Sequence, residues 1–197
     1  MTDSFSVPER LILASGSIYR RQMLARLGID FEVIPADIDE SSLEGEDGQT
    51  LARRLAAEKS AVVAALHPDA IVIGADQVAE CRGRQLGKPG SAERALEQLQ
   101  FCRGHDIVFH SAIAVRQGKR LLEAVVPTHV SLKPLDDAAL TRYIERDKPF
   151  DCAGSMRSES LGITLTSAIS SNDPTALIGM PLITIAKMLT ELGFRLP

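Results

Sequence analysis

The residues of this chain that could do chemistry stand at the ends of short apolar runs. Asp76 follows AIVIGA (70–75) directly, in IVIGADQ. A carboxylate at the end of a core strand sits where open α/β sheets place ligands, although the same aspartate also suits an Asx turn. In LILASGSIYRRQML (11–24), apolar Leu11 to Ala14 run into Ser15-Gly16-Ser17, and a helical pattern carrying Arg20 and Arg21 begins at once. Cations oppose the positive end of a helix dipole, so something negative is expected there. The turn fits a phosphate cradle of backbone N–H groups and hydroxyls, and fits equally an ordinary strand-to-helix turn with Ser17 as N-cap.

Lys88, in GRQLGKPGS (83–91), could act as a phosphate point charge or be a solvated lysine. The stretch is no P-loop, because the Gly83–Gly87 spacing is one residue short and Pro89 stands where Ser or Thr must bind Mg²⁺. The acidic stretch 37–47 lacks the glycine of an EF-hand, so a calcium loop is rejected, while Glu40 could still give one oxygen to a metal. Ser15, Arg20, Lys59 and Lys88 could gather on phosphate while Asp76 and Glu40 hold a divalent cation. The four histidines (His67, His105, His110, His129) show no ligand spacing. Residue chemistry alone leaves a nucleotide- or phosphate-directed enzyme as one reading and goes no further.

Composition narrows the field. A net charge of −4 argues against a general binder of nucleic acid or anionic membrane, so any polyanion must meet a local basic pocket. No apolar run is long enough to span a bilayer, and polar MTDSFSVPER is not expected to be a secretory signal. Cys81, Cys102 and Cys152 are odd in number and lack CxxC spacing, which suits reduced thiols in a cytoplasmic protein.

The elements that must position these residues read as follows. Strands are expected at 10–15, 31–35 and 70–75, and helices at 17–27, closed by Gly28, and at 49–66 with Leu51, Leu55, Val62 and Leu66 on one face. A hairpin is expected over 77–87 around Arg82-Gly83-Arg84. Ser91 caps a helix to Cys102, two long strands flank Gly118, and Asp136 caps a helix through Arg146. The tail reads as a loop over 152–162, the strand GITLTSA, a helical turn after Asp173-Pro174 and a helix from Pro181 to Leu192. The expectation is α/β: a mixed, elongated twisted sheet flanked by helices around a central substrate cleft, in one domain over 1–197 with 1–9 flexible.

SGSIYRRQML, IDE, the lysine of LAAEKS, GADQ and GKP, in that order, resemble the Maf family of nucleoside triphosphate pyrophosphatases. The resemblance runs from Leu11 to Leu192. It implies an ITPase-like fold and divalent-metal-dependent hydrolysis between the α- and β-phosphates, with Mg²⁺ or Mn²⁺ as cofactor. It casts Asp76 as proton acceptor, Glu40 as a metal or water partner, and both as metal ligands. Ser15, Arg20, Arg21, Lys59 and Lys88 become the triphosphate grip, with Lys88 also counted catalytic.

Within the family, pyrimidine-acting members typically read SPRR, ADT and a late glutamine. Here those positions are Tyr19, Gln77 and Glu159, similar to the branch acting on 7-methyl-GTP. A 7-methylguanine is cationic, so Tyr19 can stack on it and Glu159 can pair with its N1–H and amino group. The branch commonly has Trp at Tyr19 and Ser-Glu-Gly at Ser158-Glu159-Ser160, while His110-Ser111-Ala112 replaces a Thr-Gly pair frequent in the family. The rivals are the same reaction on another non-canonical or pyrimidine triphosphate, and a nucleotide-sensing regulator of septation. A nucleotide is the expected partner, nucleic acid and membrane are not, and a homodimer stays open.

Overall fold

The structure, a computed structural model, describes residues 10–196, so the expectation for 1–9 lies outside the described residues. The apolar run after Arg10 forms strand β1 (Leu11–Leu13), wholly buried. Ser17 caps helix α1 (Ile18–Ala25), its hydroxyl accepting from the Arg20 N–H. Of the expected 31–35 strand only β2 (Glu32–Val33) pairs, parallel to β1. Asp47 caps helix α2 (Gly48–Leu66) by accepting from the Thr50 N–H.

Strand β3 (Ile71–Cys81) runs unbroken through what the sequence divides into a strand and a hairpin arm. The hairpin turn is Arg82-Gly83, both at positive φ (51° and 76°), as a two-residue turn between twisted strands requires. Its return arm is β4 (Arg84–Leu86). Helix α3 (Ala92–Cys102) follows with Ser91 as cap. Strands β5 (Asp106–Gln117) and β6 (Arg120–Leu132) form the long hairpin around Gly118. Helix α4 (Asp137–Asp147) starts at Asp136 as expected.

In the tail, the GITLTSA expectation is half right. Residues Leu161–Leu165 coil as a 3-10 turn, and β7 (Thr166–Ser171) begins only after it. A further 3-10 turn (Ala176–Ile178) leads to helix α5 (Leu182–Glu191).

The sheet is mixed, in the order β2-β1-β3-β5-β6-β7, with β4 also on β3. Only β1 with β2 and β1 with β3 are parallel. One edge of β3 is shared: β1 pairs with its first three residues and β4 with its last three. Residues 74–78 between them have no strand on that side, and the sheet splits there around Asp76.

Alternation along β3 sends its side chains to two faces. Ile71, Ile73 and Ala75 join a core with α1 and α5, through Met23, Leu24, Ile185 and Leu189. Ala79 and Cys81 join a second core with α3 and α4, through Leu99 and Leu140. On the opposite face, Val72 and Val78 lie against α2, through Val63 and Leu55. A continuous apolar strand covered on both faces is thus observed.

The packed face of α2 differs from the expected one. Leu51 and Leu55 are buried, but Val62 and Leu66 are exposed, and Ala52, Ala56, Ser60 and Val63 take the inner side. The helix turns its small residues to the sheet because it lies very close to β3. A Cβ added at Gly74 would stand 2.1 Å from the Ala56 carbonyl oxygen and 2.7 Å from the Ser60 nitrogen. Backbone cannot yield as a flexible side chain can, so Gly74→Ala is expected to cost about 3 kcal/mol or more. Gly16→Ala, whose new Cβ would meet only Pro35 at 3.7 Å, should unfold in urea within about 1 kcal/mol of the parent. Equal midpoints for the two variants would refute the contact.

Candidate active site

At the split in the sheet opens a cleft of about 650 Å³, within the usual range for a small-molecule site. Its floor is charged. Lys59, on the sheet-facing side of α2, is buried and donates to Asp76 Oδ1 at 2.6 Å. The same ammonium stands 2.5 Å from Glu40 Oε1. Arg20, from α1, places its guanidinium 3.7 Å from Asp76 Oδ1 and donates to Ser15 Oγ at 3.3 Å. Lys88 is exposed on the same wall. Burial pushes the Glu40 carboxyl up, but its hydrogen bond with Lys59 and the charges of Lys59, Arg20 and Lys88 outweigh this and hold it below the usual carboxylate range.

The chain therefore brings Ser15, Arg20, Glu40, Lys59, Asp76 and Lys88 to one place from five separate segments. Arg21 does not join them: one step of 100° along α1 puts it on the exposed face, outside the cleft lining. The loop 37–47 is not a merely solvated acidic stretch either. Arg54 of α2 grips Glu46 through two bonds, Nε to Oε1 at 2.8 Å and Nη2 to Oε2 at 2.9 Å, and also donates to the Ser41 carbonyl. That clamp holds the loop which delivers Glu40, and nothing in the sequence spacing points to it.

The cleft is also lined by Tyr19, Asp151, Met156 and Glu159. Glu159 is exposed and accepts only a long bond, 3.4 Å, from Ser158 Oγ. Ser160, where the resembling branch has glycine, donates to Asp147 Oδ1 at 2.6 Å and so ties its loop to the end of α4. Gln77, next to Asp76 but on the other face of β3, is engaged with protein. Its amide nitrogen donates toward Ser111 Oγ (2.9 Å) and the carbonyls of Ala176 and Leu177 (both 3.0 Å).

Ser111 in turn donates to the Ala176 carbonyl at 2.6 Å, a use for the His-Ser-Ala departure that sequence reading did not find. Asp173 anchors the same segment. Buried, it accepts from Thr175 Oγ1 at 2.6 Å and from the Ile183 N–H at 2.9 Å, capping α5 from outside the helix. Its place ahead of Pro174 and Thr175 was the available signal.

Gln77 thus acts on the wall 176–179 that lines the cleft. Threonine there is too short to reach both carbonyls. Gln77→Thr is expected to speed hydrogen exchange of the Ile178 and Gly179 amides by about tenfold, the effect of losing roughly 1 kcal/mol. Unchanged protection would mean that Ser111 holds the segment alone.

Comparison with known proteins gives the family. The model for Maf-like proteins matches residues 10–192. A 7-methyl-GTP pyrophosphatase of Xanthomonas axonopodis pv. citri (strain 306) is 48% identical over 188 residues, 95% of this chain and 99% of its own. One of Aromatoleum aromaticum is 48% identical over 191 residues, 95% of this chain and 98% of its own. One of Bordetella avium (strain 197N) is 50% identical over 184 residues, 93% of each. With a match that takes in the split sheet, the charged floor and both walls of the cleft, this chain belongs to the Maf family.

Proposed function

We propose that this protein hydrolyses 7-methyl-GTP between its α- and β-phosphates, releasing 7-methyl-GMP and pyrophosphate. The observation that carries the reading is a cleft lined by two chemically different groups of side chains. Arg20, Lys59 and Lys88 are one. Tyr19 and two carboxylates, Asp151 and Glu159, are the other. A triphosphate belongs against the cationic group. A base that carries positive charge belongs against an aromatic ring and a carboxylate. The names of relatives near 48% identity over most of the chain support the same substrate.

Asp76 is the group placed to take a proton from the attacking water. It is buried beside two cations that keep its charge compensated, and it projects into the cleft from a rigid strand. Arg20 and Lys59 draw the phosphates and offset the charge that grows on their oxygens as the anhydride bond breaks. Ser15 orients Arg20.

The residues also fit a divalent cation. Among the described residues no group of three or more His, Cys, Asp or Glu is placed to hold a metal ion. Yet Glu40 and Asp76 already converge on one positive charge, the Lys59 ammonium. Two carboxylates, completed by phosphate oxygens and water, are a suitable set for Mg²⁺ or Mn²⁺. Such an ion supplies Lewis-acid stabilisation of the phosphoryl oxygens. The three cysteines are all free thiols, which suits a reducing, cytoplasmic setting. Among the described residues no helix is long and apolar enough to cross a membrane.

The test is pyrophosphate release from 7-methyl-GTP, GTP, UTP, dTTP and CTP with Mg²⁺ or Mn²⁺. Selective turnover of 7-methyl-GTP, abolished by chelation, is expected. Preference for a pyrimidine would overturn the base assignment, and silence across the panel would overturn the reaction. Asp76→Asn should lower turnover by at least about a hundredfold, the usual reach of a general base, while nucleotide binding stays within about threefold. Turnover that survives the change would remove Asp76 from the proton-transfer role.

A further inference from the structure

The residues around Tyr19 bond to one another as well as lining the cleft. The Tyr19 hydroxyl donates to Asp151 Oδ2 at 3.0 Å. The other oxygen of that carboxylate accepts from Arg157 Nη2 at 3.1 Å. The same guanidinium lies over the Tyr19 ring, 5.8 Å from its centroid. Arg157 is itself held, by donation to the Asp147 carbonyl at 3.0 Å and by a bond from its own N–H to the Tyr143 hydroxyl at 3.0 Å. Ring, carboxylate and guanidinium thus close a triangle whose base is fixed to α4.

Tyr19 and Asp151 line the cleft, and Arg157 stands behind that lining. We propose that Asp151 is a positioning residue for base recognition: with Arg157 behind it, it locks the Tyr19 ring as a fixed platform for a cationic purine. This deepens the 7-methyl-GTP reading and rests on it. A tyrosine stacks less strongly than the tryptophan common at this position. An aromatic ring that must first be ordered also loses part of its stacking energy to lost side-chain freedom.

Fixing the ring beforehand removes that loss. Burial, and next the bond to Asp151, push the Tyr19 hydroxyl up to about 12, so it remains a donor at every pH at which the enzyme would work. Asp151 is held below the usual carboxylate range: burial pushes it up, but the Tyr19 hydrogen bond, local hydrogen bonds and the charge of Arg157 outweigh that. Donor and acceptor therefore keep their roles from mildly acid to mildly alkaline solution.

The experiment compares the parent with Asp151→Ala, Tyr19→Phe, the double variant and Asp151→Asn. Asp151→Ala and Tyr19→Phe should each reduce the preference for 7-methyl-GTP over GTP, in kcat/KM, by about fivefold, the effect of one lost hydrogen bond near 1 kcal/mol. The double variant should lose no more than either single, since both remove the same bond. Asp151→Asn keeps an acceptor for the hydroxyl and should restore most of the preference. Losses that multiply in the double variant, or no rescue by asparagine, would overturn the positioning role.

A second readout does not depend on turnover. The chain has two tyrosines and no tryptophan, so its emission comes from Tyr19 and Tyr143. A phenol bonded to a carboxylate is quenched. Asp151→Ala should therefore raise tyrosine emission in the parent and leave it unchanged in Tyr19→Phe. Emission that does not respond would show that the bond is absent in solution and overturn the proposal. A parent that responds in emission yet shows no preference for the methylated base would overturn the substrate reading while the lock itself stands.

Discussion

The site depends on how closely α2 lies against β3. At Gly74 the helix backbone occupies the space that any Cβ would need. This contact puts Lys59, from the middle of a helix, against Asp76, two residues further along the strand and on the same face. A buried lysine and a buried aspartate each lose hydration, and their attraction repays that only at hydrogen-bonding distance. The helix cannot withdraw without leaving two desolvated charges apart. Packing and electrostatics therefore hold each other in place here: the missing side chain allows the approach, and the ion pair fixes it.

Around this pair the cleft is built from unlike materials. Most of the charged floor rests on regular elements, β3, α2 and the first turns of α1, with Glu40 brought in by a loop. Loops beside it are tied by side chains from elsewhere: 41–46 by Arg54, 176–179 by Gln77 and Ser111, 157–160 by Tyr143 and Asp147. Sites commonly combine a rigid scaffold with loops that carry recognition. On the proposed reading, the phosphate chemistry falls to Asp76, Lys59 and Arg20 on regular elements, while base recognition draws on Tyr19 of α1 as well as on Glu159 of a loop.

What could be read from the sequence was local. Ser17, Ser91 and Asp136 announce their helices because a cap bonds only three residues ahead, and the two long strands around Gly118 follow from alternation and a turn. The packed face of α2 departs from the expected one because large apolar residues do not mark the buried side here. A helix that must lie close to a sheet instead presents alanine, serine and one charged lysine. The 3-10 turn at 161–165 was read as strand because Ile, Thr and Leu carry β propensity, which says nothing of Gly162, where a Cβ would strike the Arg157 carbonyl at 2.4 Å. Six residues that their chemistry singles out, and that the family pattern then gives roles, line one cleft. Arg21 fell away by helical geometry. Gln77 and Asp151 act through partners up to 100 and 132 residues distant in the chain, a relation that no spacing rule reports.

One feature of β3 carries a mechanical meaning. Its eleven residues enter one apolar core at Ile71 and another at Cys81, with Asp76 halfway between. Thermal swings of one half against the other must bend this strand, and its midpoint travels least, as the fulcrum of a balance does. On the proposed reading, water and phosphate meet beside this midpoint.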